Sequence, residues 1–231
     1  SHYGMGGVAV DETGETGVDG LFAIGETMAG VHGANRLGGN SLAETVAFGV
    51  VAGETVADRV DGPGEIPADL LDTLVDPHLA DLVSTANRDG DEDVEAVLAA
   101  LRDTMWEHAG ILRDEESLRA GLDALEEIRE RANDLDVGPV MSESYEFAID
   151  LGFSLTAAEA VLRGALERDE SRGAHYRTDH PETDEAWRRN VTIERADIGG
   201  MALSTESVDE PSAAVQAALD EGHELDYHQL E

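Results

Sequence analysis

With 231 residues, the chain has room for one medium domain or two small ones and enough length to bury a core. Its 51 acidic residues against 15 basic ones, every one of them arginine, give a formal net charge of −36, which argues against nucleic acid as a partner. The absence of cysteine excludes disulfides, thiolate metal sites and iron–sulfur clusters on this chain, and no apolar run approaches the ~20 residues of a membrane span.

The acids are spread along the whole sequence instead of forming one block, while hydrophobic residues still make up 41%. That combination excludes a wholly disordered acidic tail and predicts a folded core under a solvated acidic skin. Self-repulsion within that skin is strong when the Debye length is about 10 Å and small when molar salt shortens it to about 3 Å. The composition therefore predicts a halophilic source. A melting temperature that climbs between dilute buffer and molar KCl is the expected result; one insensitive to KCl would dismiss the idea.

Glycine crowds the first sixty residues. Residues 7–10 read as a strand, 11–20 as turns and 21–25 as a short buried strand. A helix is predicted from Ser41 to about Val60, opened by Ser41 and Glu44 at the spacing of a capping box. It is apolar nearly all round (Leu42, Val46, Phe48, Val50, Val51, Val56), which predicts burial. Gly62-Pro63-Gly64 then marks a domain boundary.

Beyond it the pattern becomes helical. Residues 68–87 predict a helix that Pro77 breaks or kinks. Val94, Val97, Leu98, Leu101, Met105 and Leu112 recur at helical spacing, as do Leu118, Leu122, Leu125, Ile128 and Leu135; a third helix runs roughly from Ser142 to Arg168. Short connections predict an antiparallel bundle. Residues 190–208 predict a strand or two, and 211–221 a short helix. The fold class is thus an α/β fragment plus a mainly α part, divided at 1–60, 61–175 and 176–231.

Three segments carry candidate chemistry. In Val31-His32-Gly33-Ala34-Asn35-Arg36-Leu37-Gly38-Gly39-Asn40-Ser41-Leu42, glycines lead into a helix whose free N–H groups and dipole favour an anion. Arg36 can grip a carboxylate bidentately. Spacing alone leaves a second reading open, a turn before a buried helix with Arg36 paired to a nearby acid. Leu21-Phe22-Ala23-Ile24-Gly25-Glu26 places a carboxylate at a strand end, where α/β folds hold ribose hydroxyls, although an acid simply facing water is an equally plain reading. Ser1-His2-Tyr3-Gly4-Met5-Gly6-Gly7 sets an imidazole beside a glycine turn. His78, His108, His180, His223 and His228 show no metal-like clustering, so no metal site is expected.

Taken in this order, the three segments resemble the succinate dehydrogenase/fumarate reductase flavoprotein family. The resemblance continues at Met105-Trp106 and Gly110-Ile111-Leu112-Arg113. It returns at Glu170-Ser171-Arg172-Gly173-Ala174-His175, followed by Asp184-Glu185 and Trp187. It is thinnest over 61–100 and after 200. The related L-aspartate oxidases typically carry Ala-Ser at the place of Gly38-Gly39, which favours the succinate/fumarate branch.

The resemblance implies that residues 1–60 are the C-terminal end of an FAD-binding Rossmann-like domain, followed by an antiparallel helical bundle and a short mixed tail. It implies His2 and Arg36 as contacts to a dicarboxylate, succinate or fumarate, Glu26 as a contact to the FAD ribose, and Ser41 and Leu42 as flavin contacts. His32 and Asn35 are secondary. Arg172 and His175 are read as structural links or as groups orienting the site, the structural role favoured.

The implied reaction moves hydride between a substrate methylene carbon and flavin N5, and electrons pass to an iron–sulfur subunit. Membrane anchor subunits would hold the complex on the inner, cytoplasmic face of the cell membrane. The family's G-x-G-x-x-G motif, its FAD-linking histidine and its proton-transferring arginine do not precede Ser1. The sequence therefore reads as the C-terminal portion of a longer flavoprotein, inactive without its N-terminal remainder and holding no catalytic residue of its own. Rival readings are an L-aspartate oxidase-like or soluble fumarate reductase flavoenzyme and, in another class, a non-catalytic acidic helical interaction module.

Overall fold

Three helices begin where a short polar side chain caps them. Asp93 accepts from the Ala96 N–H at 2.8 Å, Asp114 from Ser117 at 2.8 Å and Ser142 from Tyr145 at 3.2 Å, each satisfying an otherwise orphaned donor. The computed structural model describes residues 3–60, 62, 67–197 and 199–220. In chain order it contains α1 (Asn40–Arg59), α2 (Ala68–Thr85), β1 (Glu92–Asp93), α3 (Val94–His108), α4 (Glu115–Ala132), β2 (Leu135–Asp136), α5 (Glu143–Glu167), β3 (Arg189–Arg195), β4 (Met201–Ser207) and α6 (Ala213–Asp220), with 3-10 turns at Gly25–Thr27 and Glu185–Trp187.

Helices α3, α4 and α5 pack on one another around Val97, Leu101, Leu118, Leu125, Leu151 and Leu162. The apolar stripes predicted over α3 and α4 are buried at Val94, Val97, Leu98, Leu101, Leu118, Leu125 and Ile128, whereas Leu112 lies beyond the end of α3 and is exposed, and Leu135 is buried in β2. Gly121 lets α4 approach its neighbours: a Cβ there would lie 2.7 Å from the His108 Cβ and 2.8 Å from Leu162. A two-residue parallel pairing of β1 with β2 ties the start of α3 to the end of α4, and Arg131 clamps Glu92 bidentately at 3.0 and 2.8 Å. The β3–β4 hairpin, in register from Arg189 opposite Ser207 to Arg195 opposite Met201, lies against α5.

The structure departs from the expected elements in four places. Residues 7–10 and 21–25 form isolated bridges instead of strands: Val8 with Met28, Val10 with Thr16, Glu15 with Phe22. Leu21 and Ile24 are exposed, so the second segment is not a buried strand. A strand exists only where a neighbour pairs along it, and these segments meet one another at single points. Helix α1 starts within a residue of its predicted position, yet its only buried residues are Glu44 and Ala52. Its N-cap is Gly39 in the left-handed region at φ 82°, with no side-chain cap, so Ser41 and Glu44 make no capping box.

Helix α2 runs through Pro77 without interruption and ends at Thr85, two residues short of Asn87, which adopts φ 56°. Of the glycine–proline boundary only Gly62 lies among the described residues. No helix among the described residues is long and apolar enough to cross a membrane.

Candidate functional site

The amino-terminal end of α1 gathers the segments that the sequence separates. The Gly4 N–H donates to Glu26 Oε1 at 2.6 Å, joining the first residues to the turn at Gly25–Thr27. The Tyr3 hydroxyl donates to Glu44 Oε2 at 2.6 Å, joining them to the first turns of α1. The Arg36 guanidinium lies over the Tyr3 ring, 4.9 Å from its centroid, and Nη1 stands 3.4 Å from both Ser41 Oγ and the Leu37 carbonyl. The loop before α1 is thereby folded back onto the helix it leads into.

Arg36 carries five N–H donors. Among the described residues no carboxylate takes any of them, and the buried Nε has no partner. The reading in which Arg36 merely pairs with a neighbouring acid does not describe this arrangement. A half-buried guanidinium beside an uncapped helix N-terminus can receive a carboxylate bidentately. Glu26 is exposed, and Leu42 is 76% exposed just inside α1. His2 lies outside the described residues.

Three participants lie beyond the site residues that the sequence nominates. Tyr3 carries no signal of its own there, His32 stands as secondary, and Glu44 fits a cap. Glu44 is 4% exposed in a helix otherwise nearly free of buried polar groups. His32 Nε2 is 2.5 Å from the same Glu44 oxygen that Tyr3 reaches. The Tyr3 phenol is pushed up to about 12, first by its hydrogen bond to Glu44, then by burial and by the charges of Glu44 and Glu26. The sequence alone does not single out Glu44, because its spacing from Ser41 fits a helix cap equally well.

The same loop is gripped from the helical side. Gly173, at φ 58°, brings its backbone so close to Ala34 that a Cβ would lie 2.3 Å from the Ala34 carbonyl oxygen. The Ala174 N–H donates to that oxygen at 2.9 Å. Around this contact Arg172 holds the buried Glu170 at 2.8 and 3.1 Å, and Glu170 also accepts from the Asp184 N–H and from Arg168. His175 contacts Arg113 and the Arg168 carbonyl. Burial and then the arginine charges hold its pKa down, and the neutral ring serves as a link. Arg172 and His175 thus sit in the structural framework behind the loop. Among the described residues no group of three or more His, Asp or Glu is placed to hold a metal.

Comparison with known proteins finds family models over two stretches of the chain. Residues 98–219 match the family model "Fumarate reductase flavoprotein C-term", and residues 1–42 match "FAD binding domain". The fumarate reductase flavoprotein subunit of Escherichia coli is 40% identical over 186 residues, covering 78% of this chain and 30% of that protein. A subunit of the CoM/CoB fumarate reductase of Methanothermobacter marburgensis is 38% identical, covering 84% of this chain and 35% of that one.

Among solved structures, a chain of E. coli quinol fumarate reductase superposes with TM-score 0.82 at 33% identity, over 91% of this chain and 37% of the other. A chain of Mycobacterium smegmatis Sdh1 superposes with TM-score 0.83 at 31% identity, over 95% and 38%. The chain spans about a third of the length of the curated relatives it matches. With more than half of its residues inside the C-terminal model and the helical core placed accordingly, the chain belongs to the fumarate reductase/succinate dehydrogenase flavoprotein family.

Proposed function

We propose that this chain forms the carboxyl-terminal part of an FAD-dependent flavoprotein that interconverts succinate and fumarate. The observation that carries the reading is Arg36: a guanidinium positioned by Tyr3 and Ser41, with donors that no carboxylate of the described chain takes. Arg36 binds one carboxylate of the substrate, with His2 as a second contact. Glu26 holds the ribose of FAD, and Ser41 and Leu42 meet the flavin.

The residues present fit that cofactor. Gly39 has open space where a Cβ would stand, α1 lacks a side-chain cap, and Leu42 offers an uncovered apolar surface for a flat ring. FAD, when bound, supplies the hydride acceptor and donor for the carbon–carbon bond. Arg36 fixes the orientation of the dicarboxylate, and the positive end of α1 favours negative charge beside it.

On the same reading, residues 1–60 complete an FAD-binding domain whose other half lies in the N-terminal remainder of the flavoprotein. Residues 61–175 form the helical domain and 176–231 the closing segment. Electrons pass to an iron–sulfur subunit, and membrane anchors place the complex peripherally on the inner face of the membrane. The acidic skin belongs to a halophilic source.

The test uses the FAD-loaded full-length flavoprotein. It is expected to reduce fumarate with reduced viologen and to oxidise succinate with a dye acceptor, while a polypeptide of these 231 residues does neither. FAD-replete protein inert toward both dicarboxylates, or turnover by the 231 residues alone, would overturn the reading.

A further inference from the structure

We propose that Glu44 is a positioning residue for Arg36, acting through the Tyr3 ring that it anchors; this rests on the reading of Arg36 as a dicarboxylate contact. Glu44 stands three residues after Ser41, so both face the same side of the first turns of α1. Ser41 meets the guanidinium directly. Glu44 reaches it through Tyr3, whose hydroxyl it holds at 2.6 Å while the face of the ring supports Arg36 at 4.9 Å. The Arg36 loop is thereby referenced to a rigid helix at two points instead of one.

An ionised carboxylate only accepts, so the Tyr3 hydroxyl and the Nε2–H of His32 both point at Glu44 Oε2. This pattern assigns the Nε2–H tautomer to His32 and leaves its 3.1 Å approach to the Tyr3 oxygen as the third side of a triangle, not a hydrogen bond. The His32 ring also meets Tyr3 edge to face, with centroids 5.3 Å apart. Tyr3 is therefore fixed at its hydroxyl and on one flank, and its remaining face lies against Arg36.

Stability alone does not account for a carboxylate here. Glu44 is 4% exposed and forms no ion pair with an arginine, and Oε1 is buried without a partner among the described residues. A buried group left this way is destabilising relative to an apolar side chain of similar size. Helix α1 is rich in Ala and Val that would pack at that place. What the carboxylate supplies, and an apolar residue does not, is a fixed acceptor for two donors that together orient the support of Arg36.

Fumarate affinity measured by calorimetry on the FAD-loaded full-length protein tests this, with melting temperature and FAD content recorded for each variant. Glu44→Ala is expected to weaken fumarate binding on the order of tenfold, typical of coupled neighbours, without loss of FAD. Tyr3→Phe keeps the ring under Arg36 and deletes only the anchor, and is expected to weaken binding by a similar factor. The double variant should be no worse than Glu44→Ala alone.

If Glu44→Ala fails to fold, Glu44→Gln, which keeps the volume and one acceptor, is read beside Tyr3→Phe; a loss of about threefold or more in both supports the proposal. Affinities within twofold of the parent for Glu44→Gln and Tyr3→Phe, while Arg36→Ala loses binding, would overturn the role of Glu44 alone. Unchanged affinity in Arg36→Ala would overturn this proposal together with the dicarboxylate reading.

Discussion

Replacing Arg177 by methionine is expected to destabilise the helical part by about 3–5 kcal/mol, the range for a buried charge pair that loses one partner. Arg177 is 1% exposed. Its guanidinium holds both oxygens of Asp179 at 2.7 Å, and Nη1 donates to the carbonyls of Ala165, Leu166 and Arg168 at 3.2–3.3 Å. Those carbonyls close the C-terminal end of α5, where a cation is favoured. Asp179 in turn accepts from the Glu115 N–H at the start of α4, where an anion is favoured. One arginine–aspartate pair therefore seals two helix ends of opposite polarity.

A melt followed by circular dichroism checks this, with a fall of about 6–20 °C expected for a chain of this size. Arg119→Ala, which breaks an exposed pair with Glu115, is the contrast and should change stability by less than about 0.5 kcal/mol. Acid gives a second readout. The Arg177 hydrogen bonds hold the Asp179 carboxyl well below the usual carboxylate range. Its contribution is then complete above the ordinary value of about 4 and is lost as pH falls through the lower folded value. The gap between parent and Arg177→Met should narrow in that acid window.

Arg36→Ala is expected to weaken fumarate binding by about 10²-fold or more, because truncating one partner of a desolvated charge pair costs at least about 2–3 kcal/mol. The Nη1 contacts to Ser41 and Leu37 are long, 3.4 Å each, so losing them changes the loop little; the loss falls on the ligand. Arg36→Lys should recover only part of the affinity, since an ammonium is a point charge without the planar fork. Calorimetric titration with fumarate on FAD-loaded protein checks both, and flavin absorbance checks that the cofactor remains.

The three bundle helices are legible in the sequence because their apolar periodicity is carried by residues that have no other place to go. Val97, Leu118 and Leu125 are fully buried, and each lies on a predicted stripe. The hairpin is legible more loosely, as a stretch with room for one or two strands. The first sixty residues read less well for a physical reason: their apolar runs are composed like strands and like a buried helix, but most of that surface meets nothing among the described residues. Composition registers what a segment can bury, not what covers it.

Within the site, Arg36 is singled out in the sequence by its glycine loop, but that spacing fits pairing with a nearby acid as well, and only the absence of a carboxylate partner among the described residues decides between them. Glu44 reads as a cap because a serine followed three residues later by glutamate fits both a helix cap and a buried anchor. Only the direction of the carboxylate, toward Tyr3 and His32, separates the two. His32 illustrates the same limit, since its partner lies twelve residues away on another element.

The backbone seam between Gly173 and Ala34 has a thermodynamic consequence. Ala34 lies two residues before Arg36, and its carbonyl is bonded to a turn belonging to the helical part. A ligand that orders the Arg36 loop favours the docked form of that turn, so on the proposed reading saturating dicarboxylate is expected to raise the melting point of the bundle, which a thermal melt with and without fumarate checks. The linkage is reciprocal: whatever loosens the bundle at α5 reduces the fraction of molecules whose loop is ready to bind, and apparent affinity falls with that fraction.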